Sequence, residues 1–216
     1  MLGGTTEGDF AGSLKLNLFF LGSWRAWRSW RLIWVLAKPD TARLFFAAWP
    51  PPEAQQALGD LARRLKSECG GRALPASKLH LTLVFLGEVA RERLPRLEAL
   101  AGAVTVPQFE IRLDHVGYWR HNHVVWACFE HGAAELGALA AGLEQALAGD
   151  GFQFDQRAYV PHITLLRNAR RAPASAAVHR LAWPFTGHAL VESVPLEHAM
   201  LYRVLRTWHP AAGVSA

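Results

Sequence analysis

The hydrophobic and polar positions of this chain divide into strand-like and helix-like segments from residue 43 onward. Continuous apolar, β-branched or aromatic runs predict buried strands, whereas apolar residues spaced three or four apart predict amphipathic helices. Prolines and glycines separate the segments, because both residues interrupt regular structure. On this basis we predict strands at 43–49, 78–86, 109–116, 123–129, 159–166, 189–194 and 197–208, and helices at 54–65, 91–103 and 133–147.

The predicted succession of elements occurs twice. A strand, a helix, a loop and a second strand fill residues 43–86, and the same order returns over residues 123–166. A repeat at this spacing indicates a duplicated fold with one lobe per copy. We therefore expect an α+β fold of two pseudo-symmetric lobes around a central cleft, each lobe with an antiparallel-type sheet and flanking helices.

The last strand of each repeat carries the same word, His80-Leu-Thr82-Leu in the first copy and His162-Ile-Thr164-Leu in the second. Residues two apart on a strand point to the same face. Each copy therefore presents one imidazole beside one hydroxyl and directs its apolar neighbours into a core. A single His-x-Thr arises often by chance, but two copies at the same place in a repeated unit predict one shared site.

Two histidines and two hydroxyls suit the cleavage of a phosphate ester. One imidazole can take a proton from an attacking water while the other gives a proton to the leaving oxygen. The hydroxyls of Thr82 and Thr164 can donate to the non-bridging phosphate oxygens. Arg167 could add a bidentate contact, although it needs a bend or bulge after Leu166 to reach the histidine face.

Two aromatic residues near the motifs are candidates for substrate binding. Phe85 and Tyr159 could stack on a nucleobase or line its pocket. A place in the hydrophobic core is the more ordinary role for both, because large aromatic side chains dominate protein interiors. We nevertheless carry them as substrate-binding candidates beside Arg167.

Composition limits the class of protein. The hydrophobic share is 51% and the charged share 19%, which predicts a folded chain with a core. The net charge of +5 favours polyanionic partners without identifying nucleic acid. Two cysteines, Cys69 and Cys128, do not make a disulfide framework in 216 residues, which favours a reducing, cytoplasmic setting.

The first 41 residues follow a different pattern. The apolar run at 14–21 is too short to span a bilayer, and acidic residues before it argue against a signal peptide. Four tryptophans then recur at near-helical spacing, at Trp24, Trp27, Trp30 and Trp34. They would suit an amphipathic segment on a membrane or nucleic acid. We favour a poorly structured or mis-assigned extension at 1–41, a domain at 42–210 and a frayed tail at 211–216.

Other chemistries fit the sequence less well than the paired histidines do. His121 and His123 form a His-x-His near His131, but no carboxylate or cysteine lies at typical ligand spacing around them, so we expect no metal. The chain has no Walker-type loop, Gly-x-Ser-x-Gly or Cys-x-x-Cys. A non-catalytic nucleotide- or RNA-binding module stays open as an alternative, although binding alone needs no paired proton carriers.

The motifs resemble those of the 2H phosphoesterase superfamily, which is defined by two His-x-Thr/Ser motifs on paired lobes. Within it, the chain is most similar to the RNA 2′,3′-cyclic phosphodiesterases, also called 2′-5′ RNA ligases. The resemblance covers about residues 41–210 and leaves the tryptophan-rich extension outside the family pattern. It rests on Arg43-Leu-Phe-Phe-Ala-Ala-Trp-Pro, Lys78-Leu-His-Leu-Thr-Leu-Val-Phe-Leu-Gly and Tyr159-Val-Pro-His-Ile-Thr-Leu-Leu-Arg.

The resemblance implies hydrolysis of a 2′,3′-cyclic phosphate at an RNA end to a 2′-phosphomonoester, without metal or cofactor. It implies that His80 is the general acid at the leaving 3′ oxygen and that His162 is the general base. The residues themselves leave that order open, because the two copies are nearly symmetric. Ligation through a 2′-5′ linkage, the reverse reaction, also stays open. We expect a monomer that acts on RNA ends or nucleotides bearing this phosphate, with no membrane partner.

Overall fold

A computed structural model of the chain describes residues 40–174, 177–197 and 199–211, with the side chains of 177–180 left undescribed. The first strand begins at Thr41. The predictions of a poorly structured extension and a frayed tail therefore lie almost wholly outside the described residues.

Strands and helices alternate along the described chain. The helices are α1 (Pro52–Cys69), α2 (Leu94–Gly102) and α3 (Ala133–Gly149), and two short 3-10 helices span Ala76–Lys78 and Arg91–Arg93. The strands are β1 (Thr41–Ala48), β2 (Arg72–Ala73), β3 (Leu81–Ala90), β4 (Glu110–Trp119), β5 (Val124–Cys128), β6 (His162–Arg167), β7 (Ala177–Pro184), β8 (His188–Pro195) and β9 (Met200–Trp208). None of the described helices is both long and apolar enough to cross a membrane.

All nine described strands join one antiparallel sheet. Its order is β7-β4-β5-β6-β3-β1-β8-β9, and β2 pairs with β6 beside this path. The two motif strands, β3 and β6, therefore lie at the centre and meet where Leu81 is opposite Ile163. The predicted α+β class is confirmed, and hydrogen bonds connect the strands of both repeats into a single sheet.

The helices cross over between the repeats. Helix α1, which follows β1, packs against β6, whereas α3, which follows β5, packs against β3. Leu58 of α1 and Leu143 of α3 are fully buried in the main core, where they join Leu81 and Ile163 from the centre of the sheet. Each motif strand thus rests on the helix of the other repeat, which couples the positions of the two motifs.

The structure differs from the sequence prediction at several element boundaries and in two additional strands. β6 and β9 begin at His162 and Met200 instead of at residues 159 and 197, and residues 91–93 form a 3-10 turn before α2. β3 begins at Leu81, since residues 76–78 form a 3-10 turn, and β4 continues through Trp119 into a turn at 120–123. Neither β2 nor β7 was predicted. Both are held by partners distant in sequence, β6 and β4 respectively, and a local pattern does not report such pairings.

Candidate active site

A cleft of about 850 Å³ opens on the sheet face that carries the polar residues of both motifs. Its walls come from the β2 segment, the motif strands, β1 and the hairpin between β8 and β9. The lining residues are Arg43, Phe45, Arg72, Ala73, Leu74, Pro75, Lys78, His80, Thr82, Phe85, His162, Thr164, Arg167, Ser193, Leu196, Glu197, Ala199, Met200 and Tyr202.

The contact between β3 and β6 brings the two motifs together. Leu81 is opposite Ile163, and both side chains are buried beneath the sheet. The residues that flank this pair are His80 and Thr82 on one side and His162 and Thr164 on the other, and all four line the cleft. The two imidazoles and the two hydroxyls therefore face one shared space.

A one-residue bulge follows the first motif. Thr82 is opposite Ala47 on β1 and Val84 is opposite Phe46, so Leu83 has no partner of its own. Leu83 and Val84 are both buried as a result. The strand then resumes its alternation one residue out of phase, which directs Phe85 into the cleft.

A matching bulge follows the second motif. Thr164 is opposite Trp126 on β5 and Leu166 is opposite the adjacent Val125, which leaves Leu165 as the extra residue. Leu165 and Leu166 are both fully buried, and Arg167 lines the cleft. The irregularity that Arg167 needs to reach the histidine face is therefore present, at Leu165 rather than after Leu166.

Each imidazole is oriented by a hydrogen bond to the backbone carbonyl two residues before it. Nδ1 of His80 lies 2.8 Å from the carbonyl oxygen of Lys78, and Nδ1 of His162 lies 2.7 Å from that of Val160. A carbonyl oxygen only accepts, so Nδ1 carries the proton and donates it in each case. Nε2 is then the nitrogen of each ring that is available to exchange a proton with substrate.

Aromatic rings surround His80. The ring centroids of Phe45, Trp49 and Tyr202 lie 5.3, 5.2 and 5.1 Å from that of the imidazole. The pKa of His80 is lowered to about 4, mainly by burial and to a smaller extent by the positive charges of His162 and Arg167, while the hydrogen bond to Lys78 acts in the opposite direction. In the free protein, His80 is therefore neutral near pH 7.

Two tryptophans border His162. Trp119 meets it in a T-shaped arrangement at 4.6 Å, and Trp126 lies 6.2 Å away behind Trp119. A Cβ at Gly117 would come within 2.4 Å of the Trp126 ring, so only glycine leaves room for this ring. Burial lowers the pKa of His162, and the guanidinium of Arg167 contributes in the same direction.

The cleft collects positive charge. None of its four cationic side chains pairs with a carboxylate among the described residues, whereas elsewhere Arg96 binds Asp150 and Arg206 binds Glu98. The guanidinium of Arg43 also lies 5.1 Å from the centre of the Phe85 ring. Unpaired cations in a concave site favour an anionic ligand. These four side chains are Arg43, Arg72, Lys78 and Arg167.

Comparison with known families and relatives identifies the group to which this site belongs. A family model of the 2′-5′ RNA ligase superfamily matches residues 50–199. The chain is a member of the 2′-5′ RNA ligase superfamily. The matched range contains both His-x-Thr motifs and both bulges.

Similar proteins of known name support the membership. This superfamily member is 40% identical over 134 residues to the RNA 2′,3′-cyclic phosphodiesterase of Escherichia coli, a match that covers 62% of the chain and 76% of that relative. It is 33% identical over 173 residues to the RNA 2′,3′-cyclic phosphodiesterase of Thermus thermophilus, which covers 76% and 87% of the two chains.

Solved structures share the fold. The apo form of LigT from E. coli matches with a TM-score of 0.73 and 32% identity, and covers 79% of this chain and 98% of LigT. LigT in complex with 3′-AMP matches with a TM-score of 0.72 and 31% identity, over 80% and 100% of the two chains.

In this superfamily member, one predicted substrate contact lies away from the cleft. Tyr159 packs against the main core, and its buried hydroxyl finds no hydrogen-bond partner among the described residues. Burial accordingly raises the pKa of Tyr159. Tyr159 precedes β6, which begins at His162, and its ring packs on the core instead of lining the cleft.

The residues of the alternative metal site do not assemble. His123 adopts a positive φ of 55° in the turn after β4, and its Nδ1 lies 3.1 Å from the hydroxyl of Tyr118. His121 instead contacts the Trp119 ring. Among the described residues, no group of three His, Cys, Asp or Glu side chains is placed to hold a metal ion.

The sequence does not predict four of the cleft residues as site residues, namely Arg43, Arg72, Lys78 and Tyr202. Arg43 had a usable signal, since it is a lone charge beside a run of buried apolar residues on β1. Arg72 lies on β2 and Lys78 in the 3-10 turn before β3, and Tyr202 lies on β9, far along the chain. Their shared position depends on strand pairing that no local pattern reports.

Proposed function

We propose that this chain hydrolyses the 2′,3′-cyclic phosphate at RNA ends and leaves a 2′-phosphomonoester. The observation that carries the proposal is the set of two imidazoles and two hydroxyls on one face of a cationic cleft, with Nε2 of each imidazole available for proton transfer. The relatives named RNA 2′,3′-cyclic phosphodiesterase support the same reaction.

The reaction needs one group to remove a proton from water and another to donate a proton to the leaving oxygen. Nε2 of His162 takes a proton from a water molecule as the water oxygen forms a bond to phosphorus. The bond between phosphorus and the 3′ oxygen breaks, and that oxygen takes a proton from Nε2 of His80. Such transfers each contribute about 100- to 10,000-fold. His162 then releases its proton to solvent and His80 takes one up, which returns both histidines to their starting states.

The remaining cleft residues act on the charge of the phosphate. The hydroxyls of Thr82 and Thr164 donate to the non-bridging oxygens, where negative charge grows in the transition state. Arg167 adds a cation on the side of His162. The two threonines are half-buried, which makes their contacts stronger than they would be in water, whereas Arg167 is exposed.

The two bulges supply the asymmetry that separates acid from base. Phe85, beside the His80 motif, offers an aromatic surface for the terminal nucleobase. The ribose and its leaving 3′ oxygen then lie near His80, which acts as the general acid. Arg167 lies beside the other motif, but its charge lowers the pKa of both histidines, so the order of acid and base rests on the position of the nucleobase.

Binding of the substrate phosphate favours the protonated form of His80 that a general acid requires. In the free protein, burial keeps the pKa of both histidines below the ordinary value. A phosphodiester brings one negative charge, which favours imidazolium in the cleft. The substrate thereby supplies the negative charge that lets His80 carry a proton.

Nucleotides of several kinds fit the proposed substrate class. LigT has been crystallised with 3′-AMP and with ATP, which supports RNA ends or nucleotides as ligands of this chain. We also assign a cytoplasmic location and a monomeric state. Both cysteines are free thiols, as a reducing compartment favours.

The proposal is tested by the identity of the product. An oligonucleotide ending in a 2′,3′-cyclic phosphate is incubated with the protein in excess chelator, and the phosphomonoester formed is identified. We expect a 2′-phosphate from the natural chain and at least 100-fold slower turnover after His80→Ala or His162→Ala. A 3′-phosphate product, or full activity in both variants, would contradict the proposal. If an added RNA 5′-hydroxyl competes with water and forms a 2′-5′ linkage, the same site also performs the reverse reaction.

A further inference from the structure

Two arginines face each other at one end of the cleft. Arg72 on β2 is paired in register with Arg167 at the end of β6, and both side chains are exposed. Gly71, at a φ of +78°, lets the backbone before β2 lie against the end of β6. A Cβ at this position would lie 2.6 Å from the carbonyl oxygen of Arg167. The juxtaposition therefore depends on a glycine in a conformation that other residues rarely adopt.

This pairing is unfavourable in the free protein. Like charges directly opposite each other on neighbouring strands repel. Neither Arg72 nor Arg167 has a carboxylate partner among the described residues, although most arginines of α1, α2 and β9 do. An anion bound between or beside the two guanidinium groups would relieve the repulsion.

A third arginine, Arg170, lies beside the residues that directly precede Arg72. The backbone N–H of Arg170 donates to the carbonyl of Cys69 at 2.8 Å, and the stem of Arg170 passes over Gly70. A Cβ at Gly70 would lie only 3.2 Å from Cδ of Arg170. The side chain is exposed and has no carboxylate partner among the described residues. Arg170 thus extends the positive surface beyond the cleft.

We propose that Arg72 and Arg170 form a binding site for a backbone phosphate of the RNA chain attached to the cyclic end. Arg167 holds the reacting phosphate, and the neighbouring guanidinium groups hold a second one. This inference rests on the proposed function, and it specifies an oligonucleotide, rather than a cyclic mononucleotide, as the preferred substrate class. Exposed arginines suit this role because phosphate contacts fix position without reading sequence.

The experiment compares two substrates that share a terminal nucleotide. kcat/KM is measured for a 2′,3′-cyclic mononucleotide and for a trinucleotide ending in the same cyclic phosphate. We expect the natural chain to prefer the trinucleotide. Arg72→Gln and Arg170→Gln should each lower that preference about 10-fold, as expected when one charged hydrogen bond is removed. The salt dependence of the trinucleotide reaction should also fall by about 0.7 in logarithmic slope for each arginine that is replaced.

Arg206→Gln provides the matched control. It removes the same charge from β9, four strands from β6 in the sheet order, and should leave the preference as in the natural chain. An unchanged preference in both Arg72→Gln and Arg170→Gln would overturn the inference. So would an equal loss on both substrates, because the arginines would then act at the reacting phosphate. If the natural chain turned over neither substrate, the proposed function itself would fail, which is a separate result.

Discussion

Phe85 and Arg167 occupy the same position in the two motifs. Each lies five residues after its motif histidine and directly beyond a one-residue bulge, and each lines the cleft. The duplication therefore repeats the backbone geometry while it changes the chemistry that the backbone delivers. One half offers an aromatic surface and the other a cation.

This relationship predicts different kinetic losses at the two positions. Phe85→Leu should mainly raise KM, because loss of base stacking costs about 1–3 kcal/mol. Arg167→Gln should mainly lower kcat, by roughly 100- to 1,000-fold, since it removes a charge that acts on the transition state. Steady-state kinetics on one cyclic-phosphate substrate give both parameters. Equal effects of the two variants on kcat would contradict the assignment of Phe85 to substrate binding and of Arg167 to the chemical step.

The assignment of acid and base predicts a leaving-group effect. Sulfur in place of the 3′ oxygen leaves without needing a proton, so the general acid becomes dispensable. His80→Ala should then recover most of its lost rate on a 3′-thio cyclic phosphate, whereas His162→Ala should recover little. Rates of both variants on the oxygen and sulfur substrates provide the comparison. Recovery in His162→Ala instead would reverse the two roles.

The pH dependence of kcat/KM follows from the lowered pKa of both histidines. In the free protein, burial lowers the pKa of His80 to about 4 and also lowers that of His162. The product of one protonated and one neutral imidazole is largest between the two values, both below 6.5. We therefore expect kcat/KM to fall as the pH rises above about 6.5, the ordinary value of a histidine. The profile of kcat should lie at higher pH, because the bound phosphate favours imidazolium.

The sequence predicts the motif strands well and their neighbourhood poorly, for physical reasons. The β-branched and apolar runs around His80 and His162 are local, so they report strands directly. The bulges at Leu83 and Leu165 depend on the register with β1 and β5, although paired apolar residues after each threonine are their visible trace. Tyr202 reaches His80 only because β8 and β9 complete the sheet, and no local signal carries that pairing.

A buried histidine outside the cleft predicts acid sensitivity of folding. His188 is 3% exposed, stacks on Trp208 at 5.2 Å, and has no hydrogen-bond partner for either ring nitrogen among the described residues. Burial lowers its pKa to about 4, and the charge of His209 acts in the same direction. The unfolded chain, with a pKa near 6.5, binds more protons between pH 6.5 and 4. Stability is therefore retained above about pH 6.5 and lost as the pH falls toward about 4.

The variant His188→Phe removes this dependence. It keeps the stacking on Trp208 and eliminates two unpaired polar atoms, so the free energy of unfolding at pH 7 should rise by about 1–3 kcal/mol. Its slope between about pH 6.5 and 4 should fall by up to about 1.4 kcal/mol per pH unit. Urea unfolding across this range measures both quantities. A variant with an unchanged slope would mean that another group controls the acid response.

Gly117 predicts that the ring of His162 is positioned from two strands away. The Trp126 ring lies over this glycine, Trp119 packs 4.9 Å from Trp126, and Trp119 meets the edge of His162. In Gly117→Ala, the added Cβ forces Trp126 to move, and the displacement passes through Trp119 to the imidazole. We expect kcat to fall at least 10-fold with little change in KM, since a small misplacement of a proton carrier slows the chemical step more than binding. The pKa assigned to His162 in the kcat/KM profile should rise, because a displaced tryptophan admits water.

Gly137→Ala on α3 is the matched control, because open space surrounds that position and alanine favours a helix. If Gly117→Ala kept the natural kcat and pH profile while Gly137→Ala did the same, the tryptophans would be a structural support and not a positioning element for His162.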